Sequence, residues 1–286
     1  MRTLSDIRTV GIVGAGQMGS GIAQVAATRE YDVVVRDVDQ QHIDSAMDTI
    51  ERNLQRAVSR DRITESEADT ALGRVSATVD MADLASADVV VETVVEDMAV
   101  KQEVFAELDD LTDEDVVLAT NTSTLSITSI GAATERPDRV VGIHFMNPVP
   151  LMDGVEVVAG ERTSEDTVAF AHEFAESLDK TTWESDDKPG FVVNRVLIPW
   201  INEAIRAFDE GVASRNDIDN GLKLGTNVPM GPLELADFVG LDVVLDASET
   251  LHAELGDRYK PAYLLKRKVE AGDLGRKTGA GFYEYD

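Results

Sequence analysis

A glycine-rich turn near the start of the chain limits the choice of fold more than any other segment. Residues 9–13 (TVGIV) form a short apolar run rich in β-branched side chains, which is typical of a buried strand. The run leads directly into Gly14, Gly16 and Gly19, spaced as G-x-G-x-x-G. In this pattern the glycines permit a tight turn, the approach of a pyrophosphate and close packing of the next helix. Because a helix is predicted at residues 17–28, the segment indicates a dinucleotide-binding α/β domain.

The second strand supports a nucleotide site and points to its chemistry. Residues 32–36 (DVVVR) end beside Asp37, at the distance from the glycines where a ribose-binding acid is expected. A carboxylate there accepts a hydrogen bond from a ribose 2′-hydroxyl and repels a 2′-phosphate, so NAD is favoured over NADP. Two alternatives stay open: Arg36 could serve a 2′-phosphate, and Asp37 could be only a turn residue.

Residues 39–72 are predicted to be a helical excursion, with two helices separated near residues 61–65. Thr64 and Glu67 have the spacing of a capping box that opens the second helix. Three arginines four residues apart share one helix face. They are Arg52, Arg56 and Arg60. This face is either a binding site for a polyanionic ligand or a surface that forms ion pairs with neighbouring acids.

Polar side chains are predicted at the carboxyl ends of later strands, where ligands bind in open α/β sheets. The strands are residues 87–91, 116–119 and 139–145, with 155–158 as the last strand of the domain. The run TNTST, which contains Asn121 and Ser123, follows the second of them. His144 stands near the end of the third, and Glu156 follows twelve residues later.

His144 and Glu156 are the predicted acid/base pair. Histidine is the usual proton shuttle near neutral pH, and a carboxylate on its far ring nitrogen would fix the tautomer and stabilise the imidazolium. The alternative is a core histidine and a surface charge. The flanking motifs favour the centre of an oxidoreductase.

A change of pattern divides the chain. Residues 183–189 (WESDDKP) are the predicted boundary, and the long helix predicted at residues 191–210 should be kinked or locally broken by Pro199. Further helices are predicted at residues 217–224, 232–237, 242–255 and 262–271. The predicted fold is therefore α/β, with a Rossmann-like, mainly parallel sheet domain at 1–187 and a smaller all-helical domain at 188–286. The apolar breadth of the long helix predicts a homodimer through this second domain.

Composition excludes several classes of protein. The net charge of −28 opposes binding to nucleic acid or to anionic membranes. Cysteine is absent, which excludes disulfides and cysteine-based metal sites, and no histidine–carboxylate cluster has metal-ligand spacing. No apolar run is long enough for a transmembrane helix, and the N-terminal sequence lacks a signal-peptide pattern. We expect a cytoplasmic, metal-free protein.

The chain resembles the L-3-hydroxyacyl-CoA dehydrogenase family, close to the short-chain 3-hydroxybutyryl-CoA type. The resemblance rests on long segments in family order across nearly the whole length. They are GIVGAGQMGSGIA, ETVVEDMAVKQEVF, NTSTLSITSI, RVVGIHFMNPVPLM, KPGFVVNRVLIPWINEA, DIDNGLKLGTNVPMGPLELADFVGLD and LGRKTGAGFYEY. It implies NAD as cofactor and an acyl-CoA substrate. In two places the chain departs from relatives: Asp153-Gly154 replaces a common Lys-Leu, and arginines replace a lysine-rich run in the excursion.

The resemblance also implies roles for single residues. His144 matches the catalytic histidine and Glu156 its orienting carboxylate, while Ser123 and Asn194 match groups that contact the substrate oxygen. The predicted cofactor contacts are Gly14, Gly16, Gln17, Met18, Gly19, Asp37, Glu96, Lys101, Asn121, Ser123 and Asn147. The predicted substrate contacts are Ser123, Asn194, Asn53, Arg56 and Arg60. His42, His172 and His252 are interpreted as structural or surface residues.

Two other functions are compatible with this architecture. One is a dehydrogenase of a free hydroxy acid such as a sugar acid, and the other is a nucleotide-binding protein without catalysis. A coenzyme A ester needs an anion site remote from the chemistry, whereas a small free acid does not. The arginine face therefore distinguishes an acyl-CoA dehydrogenase from the first alternative. The intact set of Ser123, His144, Glu156 and Asn194 argues against the second.

The acidic charge generates a prediction about folding. Acidic residues number 54 against 26 basic ones, only 8 of which are lysine, a composition that resembles proteins of salt-loving organisms. Repulsion between the carboxylates destabilises the compact state, and salt screens it. Raising KCl from about 0.1 M to about 2 M should therefore raise the melting temperature by roughly 5 °C or more. A melting temperature that stays flat or falls in calorimetry would contradict this interpretation.

Overall fold

The computed structural model describes residues 2–285, and these divide into two compact units between Lys188 and Pro189. The division lies one residue beyond the boundary expected from sequence. The first unit is built on a sheet and the second is helical, so the predicted fold class is confirmed. No helix within residues 2–285 combines the length and the apolar character needed to cross a bilayer.

An eight-stranded sheet forms the centre of the first unit. Its strands are β1 Thr9–Val13, β2 Asp32–Arg36, β3 Val75–Thr78, β4 Val89–Glu92, β5 Val117–Thr120, β6 Val140–Phe145, β7 Gly154–Ala159 and β8 Thr181–Asp186. The spatial order is β3-β2-β1-β4-β5-β6-β7-β8, and the pairings are parallel except for β6 with β7. The strand order reverses between β1 and β4, which is where an open α/β sheet forms a ligand-binding crevice.

The two edge strands differ from the sequence prediction. Residues 155–158 are not the last strand of the unit, because β8 follows and includes part of the predicted boundary at residues 183–189. β3 was not predicted at all. Each edge strand pairs on one side only and includes polar residues, in the sequences VSAT and TTWESD, so neither shows the apolar run that identified the central strands.

Helices cover the sheet of the first unit. They are α1 Gln17–Thr28, α2 Gln40–Val58, α3 Glu65–Gly73, α4 Met98–Leu111, α5 Ile127–Gly131 and α6 Glu165–Ser177. The predicted capping box of α3 is confirmed, since Thr64 Oγ1 accepts from Glu67 N and Glu67 Oε2 accepts from Thr64 N. Aliphatic side chains such as Ile12, Val91 and Ile50 join strands and helices in one buried cluster.

Within residues 189–285, five α-helices form the second unit. They are α7 Val193–Asp209, α8 Arg215–Thr226, α9 Pro232–Val239, α10 Leu241–Leu255 and α11 Tyr263–Glu270. α7 continues through Pro199, so the predicted local break is wrong. Proline removes only one backbone donor, and Ile198, Ile201 and Ile205 on either side of it are buried in the core of this unit.

Asp237 secures the end of the chain. This side chain is 1% exposed, and it accepts hydrogen bonds from Phe282 N (2.8 Å), Tyr283 N (2.8 Å) and the Tyr285 hydroxyl (3.0 Å). Gly281 packs so closely on it that an added Cβ would lie 2.0 Å from Asp237 Oδ1. One carboxylate on α9 therefore orders the glycine-rich segment that follows α11.

This arrangement predicts a large cost for losing the carboxylate. Asp237→Ala leaves two backbone N–H groups without their acceptor and should lower the free energy of unfolding by about 3 kcal/mol. Urea titration at fixed high salt measures the change. The matched control is Asp273→Ala, which removes a surface ion pair with Lys268 (3.5 Å) and should cost less than about 1 kcal/mol. Equal losses in the two variants would show that Asp237 is not the anchor.

Candidate active site

The carboxyl ends of the central strands lie side by side and form the floor of the candidate site. In the sheet register Glu92 pairs with Val13 on one side and with Thr120 on the other. Backbone hydrogen bonds continue one residue further, from Thr93 N to Val13 O and from Asn121 N to Glu92 O. The glycine turn, the segment after Glu92 and the TNTST loop therefore leave the sheet at the same level.

The glycine turn has the geometry of a nucleotide-binding loop. Gly14 adopts φ = +105°, which favours glycine, and a Cβ on Gly19 would lie 1.8 Å from Gly14 O. A Cβ on Gly16 would meet nothing within 4 Å, so the protein's own packing does not demand glycine there. That open space above the first turn of α1 fits a pyrophosphate. Gln17 lies at this turn, whereas Met18 packs against the core.

Asp37 is tied to the glycine turn. Its Oδ2 accepts from Ala15 N (2.7 Å), and its Oδ1 accepts from Val38 N (2.8 Å) and lies 3.0 Å from His42 Nδ1. Burial alone would raise the pKa of Asp37, but the hydrogen bonds from Ala15 and His42 outweigh it and hold the pKa below its ordinary value. A charged acceptor therefore lies at the end of β2, where a ribose diol would be bound.

The TNTST loop contacts both the strand that carries His144 and the segment that follows Glu92. Asn121 Oδ1 accepts from Phe145 N (2.9 Å), the residue after His144. Ser123 N donates to Glu96 Oε1 (2.9 Å). Further along the chain, Asn147 Oδ1 accepts from Gln17 Nε2 (3.1 Å), so the loop after β6 also reaches the glycine turn.

His144 and Glu156 face each other across the antiparallel pair β6–β7. They are direct partners in the register, and the distance from His144 Nδ1 to Glu156 Oε2 is 3.1 Å. His144 is 8% exposed and Glu156 is 0% exposed, so the alternative of a surface charge at Glu156 is wrong. Ser185 Oγ on β8 donates to Glu156 Oε1 (2.7 Å). Sequence reasoning missed Ser185 because it lies in the segment predicted as the domain boundary, where no strand was expected.

Three charged side chains accompany the loop, two of them buried and one partly exposed. Lys101 is buried and pairs with Glu92 Oε1 (2.7 Å) and Glu96 Oε2 (3.4 Å). Burial raises the pKa of Glu92 against the opposing influence of Lys101. Glu92 was not predicted as a site residue, although a carboxylate that ends an apolar strand run was a usable signal.

A cleft of about 1070 Å³ lies beside the glycine turn in the first unit, between the helices of the excursion, α1 and the loop after β6. Asn53, Arg56 and Arg60 line it, as predicted for substrate contacts, whereas Arg52 does not. Within residues 2–285, no ion pair joins these three arginines to the neighbouring acids, so an ion-paired surface face is not what the structure shows. Asn194 belongs to the second unit, as the second residue of α7.

The described part of the chain holds no group of three or more His, Cys, Asp and Glu side chains arranged for a metal ion. Other predicted site residues from the first unit surround the glycine turn and the strand ends. The arrangement offers an ionised ribose acceptor, a phosphate cradle and a buried histidine–carboxylate pair. Together these can bind a dinucleotide and move a proton beside it.

Comparison with known proteins agrees with this geometry. The model of the 3-hydroxyacyl-CoA dehydrogenase NAD-binding domain matches residues 9–187, and that of the C-terminal domain of the same enzymes matches residues 190–285. A 3-hydroxybutyryl-CoA dehydrogenase from Bradyrhizobium diazoefficiens is 49% identical over 98% of this chain and 96% of the relative. A probable 3-hydroxybutyryl-CoA dehydrogenase from Deinococcus radiodurans is 48% identical over 96% of this chain and 99% of the relative.

A solved structure shows the same similarity in three dimensions. The crystal structure of (S)-3-hydroxybutyryl-CoA dehydrogenase from Ralstonia eutropha superposes with a TM-score of 0.93 at 43% identity, over 98% of this chain and 99% of that one. The family resemblance seen in the sequence is thereby confirmed. The chain belongs to the 3-hydroxyacyl-CoA dehydrogenase family of NAD-dependent oxidoreductases.

Proposed function

We propose that this protein interconverts short-chain L-3-hydroxyacyl-CoA, in particular 3-hydroxybutyryl-CoA, and the 3-oxoacyl-CoA, with NAD as the electron carrier. The observation that carries the proposal is the buried His144–Glu156 pair beside a glycine turn of dinucleotide-binding geometry. Relatives similar over nearly their whole length are named for this substrate.

The proposed mechanism assigns the proton to His144. Glu156 Oε2 lies 3.1 Å from Nδ1 and favours the tautomer with hydrogen on that nitrogen, which leaves Nε2 as the base. His144 then takes the substrate hydroxyl proton, and Glu156 stabilises the imidazolium. Ser123 donates a hydrogen bond to the reacting oxygen as it becomes a carbonyl, a role that the resemblance also gives to Asn194. Bound NAD supplies the hydride acceptor.

The protein's own residues fit the cofactor. The open side of Gly16 and the first amides of α1 would hold the pyrophosphate. Asp37 would accept hydrogen bonds from the ribose hydroxyls, and its negative charge would repel a 2′-phosphate. Gly14, Gly19, Asn121 and Asn147 would shape the surrounding wall.

The excursion supplies the anion site that a coenzyme A ester requires. Arg56 and Arg60 line the cleft without ion-pair partners among residues 2–285, and Asn53 lies beside them. Guanidinium groups bind phosphate through paired, charge-assisted hydrogen bonds. We therefore assign these residues to the substrate's phosphates, at a distance from the chemistry.

The proposal also includes a homodimer, an origin in a salt-loving organism and a cytoplasmic location. Val196 on α7 is an apolar side chain that is 67% exposed, which supports homodimerisation through the second unit. The net charge of −28 supports an origin in a salt-rich cytoplasm. Size exclusion with light scattering at high salt would test the dimer.

The arginine assignment predicts a selective effect on substrate binding. Arg56→Ser with Arg60→Ser removes charge-assisted hydrogen bonds to phosphate and should raise KM for acetoacetyl-CoA about tenfold or more, with kcat nearly unchanged. KM for NADH and the slow reduction of free acetoacetate should stay unchanged, because neither uses this anion site. NADH oxidation at fixed salt measures all four values.

Arg52→Ser is the matched control, since Arg52 lies on α2 like Arg56 but outside the cleft, whereas Arg60 follows the end of α2, so the three arginines do not share one helix. It should leave KM for acetoacetyl-CoA unchanged. If the double variant behaves like this control, the arginines do not bind the substrate. If wild type reduces free acetoacetate as efficiently as the thioester, the protein is instead a dehydrogenase of free acids.

The acid/base assignment predicts a loss of rate in Glu156→Gln. The amide keeps the size of the side chain but removes the charge that stabilises the imidazolium, so kcat for 3-hydroxybutyryl-CoA oxidation should fall by roughly two to four orders of magnitude. Initial rates at saturating NAD and substrate provide the measurement.

The control is Glu184→Gln on β8. Glu184 is an exposed residue whose Oε2 lies 3.9 Å from His172 Nε2, so the same substitution affects a histidine–glutamate pair outside the site. Its kcat should stay within about twofold of wild type. A Glu156→Gln variant that retains wild-type kcat would show that Glu156 is only a structural residue.

A further inference from the structure

A lysine and a glutamate are buried together at the floor of the site. Lys101 on α4 is 1% exposed and Glu92 at the end of β4 is 0% exposed, with 2.7 Å between Nζ and Oε1. Lysine and glutamate are almost never fully buried unless they are paired. A buried pair is weak evidence for stability, because removing two charges from water opposes their attraction. The role of the Lys101–Glu92 pair therefore depends on its position and on its other contacts.

Glu92 connects three segments. Its Oε1 accepts from Lys101 Nζ and from Val94 N (2.6 Å), and its Oε2 accepts from Thr120 Oγ1 (2.7 Å). The carboxylate therefore joins the end of β4, the end of β5 and α4. Thr120 is the residue from which the loop carrying Asn121 and Ser123 begins.

Lys101 links this anchor to a second carboxylate. Its Nζ lies 3.4 Å from Glu96 Oε2 and 3.4 Å from Val94 O, in addition to the contact with Glu92. An ammonium has three hydrogens, and here three protein oxygens surround it. The sequence resemblance assigned Lys101 to the cofactor, but its ammonium is directed into the protein.

Glu96 holds the loop that carries Ser123. Its Oε1 accepts from Ser123 N (2.9 Å), Thr124 N (3.2 Å) and Thr122 Oγ1 (2.5 Å), and it also lies 3.3 Å from Ser123 Oγ. Burial would raise the pKa of Glu96, but Lys101 and these hydrogen bonds outweigh it and keep the pKa below its ordinary value. The carboxylate is thus an ionised acceptor for three successive residues of the loop.

We infer that Lys101 is a positioning residue for Ser123: anchored on Glu92, it fixes Glu96, and Glu96 fixes the loop from Thr122 to Thr124. The inference rests on the proposed contact of Ser123 with the substrate oxygen. Ser123 donates usefully only when its hydroxyl stands at the reacting oxygen, and a displacement of about 1 Å can cost as much as 100-fold in rate.

A mutant cycle tests this chain of contacts. Lys101→Met removes the ammonium and keeps most of the volume, and it is made in wild type and in Ser123→Ala. Lys101→Met should lower kcat for acetoacetyl-CoA reduction by roughly 10- to 100-fold in wild type. In the Ser123→Ala background the same change should lower kcat by less than about twofold, because residues that act as a unit are not additive.

The control is Lys268→Met in the second unit. Lys268 Nζ donates to Gly281 O (2.6 Å), so this substitution also removes a half-buried ammonium. Its effect on kcat should stay below about twofold in both backgrounds. Circular dichroism and thermal unfolding at high salt establish that each variant is folded.

Each other outcome overturns the inference in a recognisable way. Equal losses from Lys101→Met in both backgrounds would make Lys101 a structural residue only. A raised KM for NADH with unchanged kcat would make it a cofactor contact. If Ser123→Ala alone keeps wild-type kcat, the proposed role of Ser123 fails, and with it the positioning role.

A second variant covers the case in which Lys101→Met does not fold. Glu96→Ala leaves the buried pair of Lys101 and Glu92 intact, and the Glu96 side chain is 38% exposed, so its removal leaves little empty space. The inference requires the same dependence on background: a loss of kcat in wild type that nearly disappears in Ser123→Ala. Additive losses would overturn it.

Discussion

The parallel pairing of β1, β4 and β5 is the constraint on which the rest of the first unit depends. It brings Val13, Glu92 and Thr120 to the same level, so the segments that follow these residues leave the sheet together. A slip of one residue in this register would turn the side chains of a strand to the opposite face. Glu92 would then point away from Lys101 and Thr120, and the TNTST loop would lose its anchor.

Acidic residues have different environments in the interior and at the surface. Inside, Glu92, Glu156 and Asp237 each accept hydrogen bonds from defined donors, which offsets the cost of removing a carboxylate from water. Outside, the net charge of −28 leaves carboxylates that repel one another, and salt screens such repulsion. The buried carboxylates are therefore held by specific donors, whereas the exposed ones face solvent.

Local sequence was a good guide wherever one segment specifies its own conformation. The central strands are apolar, and the bounds of β1, α1 and β2 follow directly from residues 9–36. The capping box at Thr64 was equally local. The edge strands β3 and β8 were not recognisable, because a strand that pairs on one side and faces solvent keeps a polar sequence. Ser185, which supports Glu156 from β8, was lost with that strand.

By itself the sequence determined the glycine turn, the acid after the second strand and the position of His144 near the end of a strand. Each of these depends on residues close together in the chain. The sequence also predicted the pairing of His144 with Glu156, which strand register places opposite each other. Only the tertiary structure showed that Lys101 is buried and pairs with Glu92 and Glu96. The same folding leaves Arg56 and Arg60 along the cleft, while Arg52 lies outside it. Burial and partner choice arise from contacts between distant segments, and no local pattern of residues specifies them.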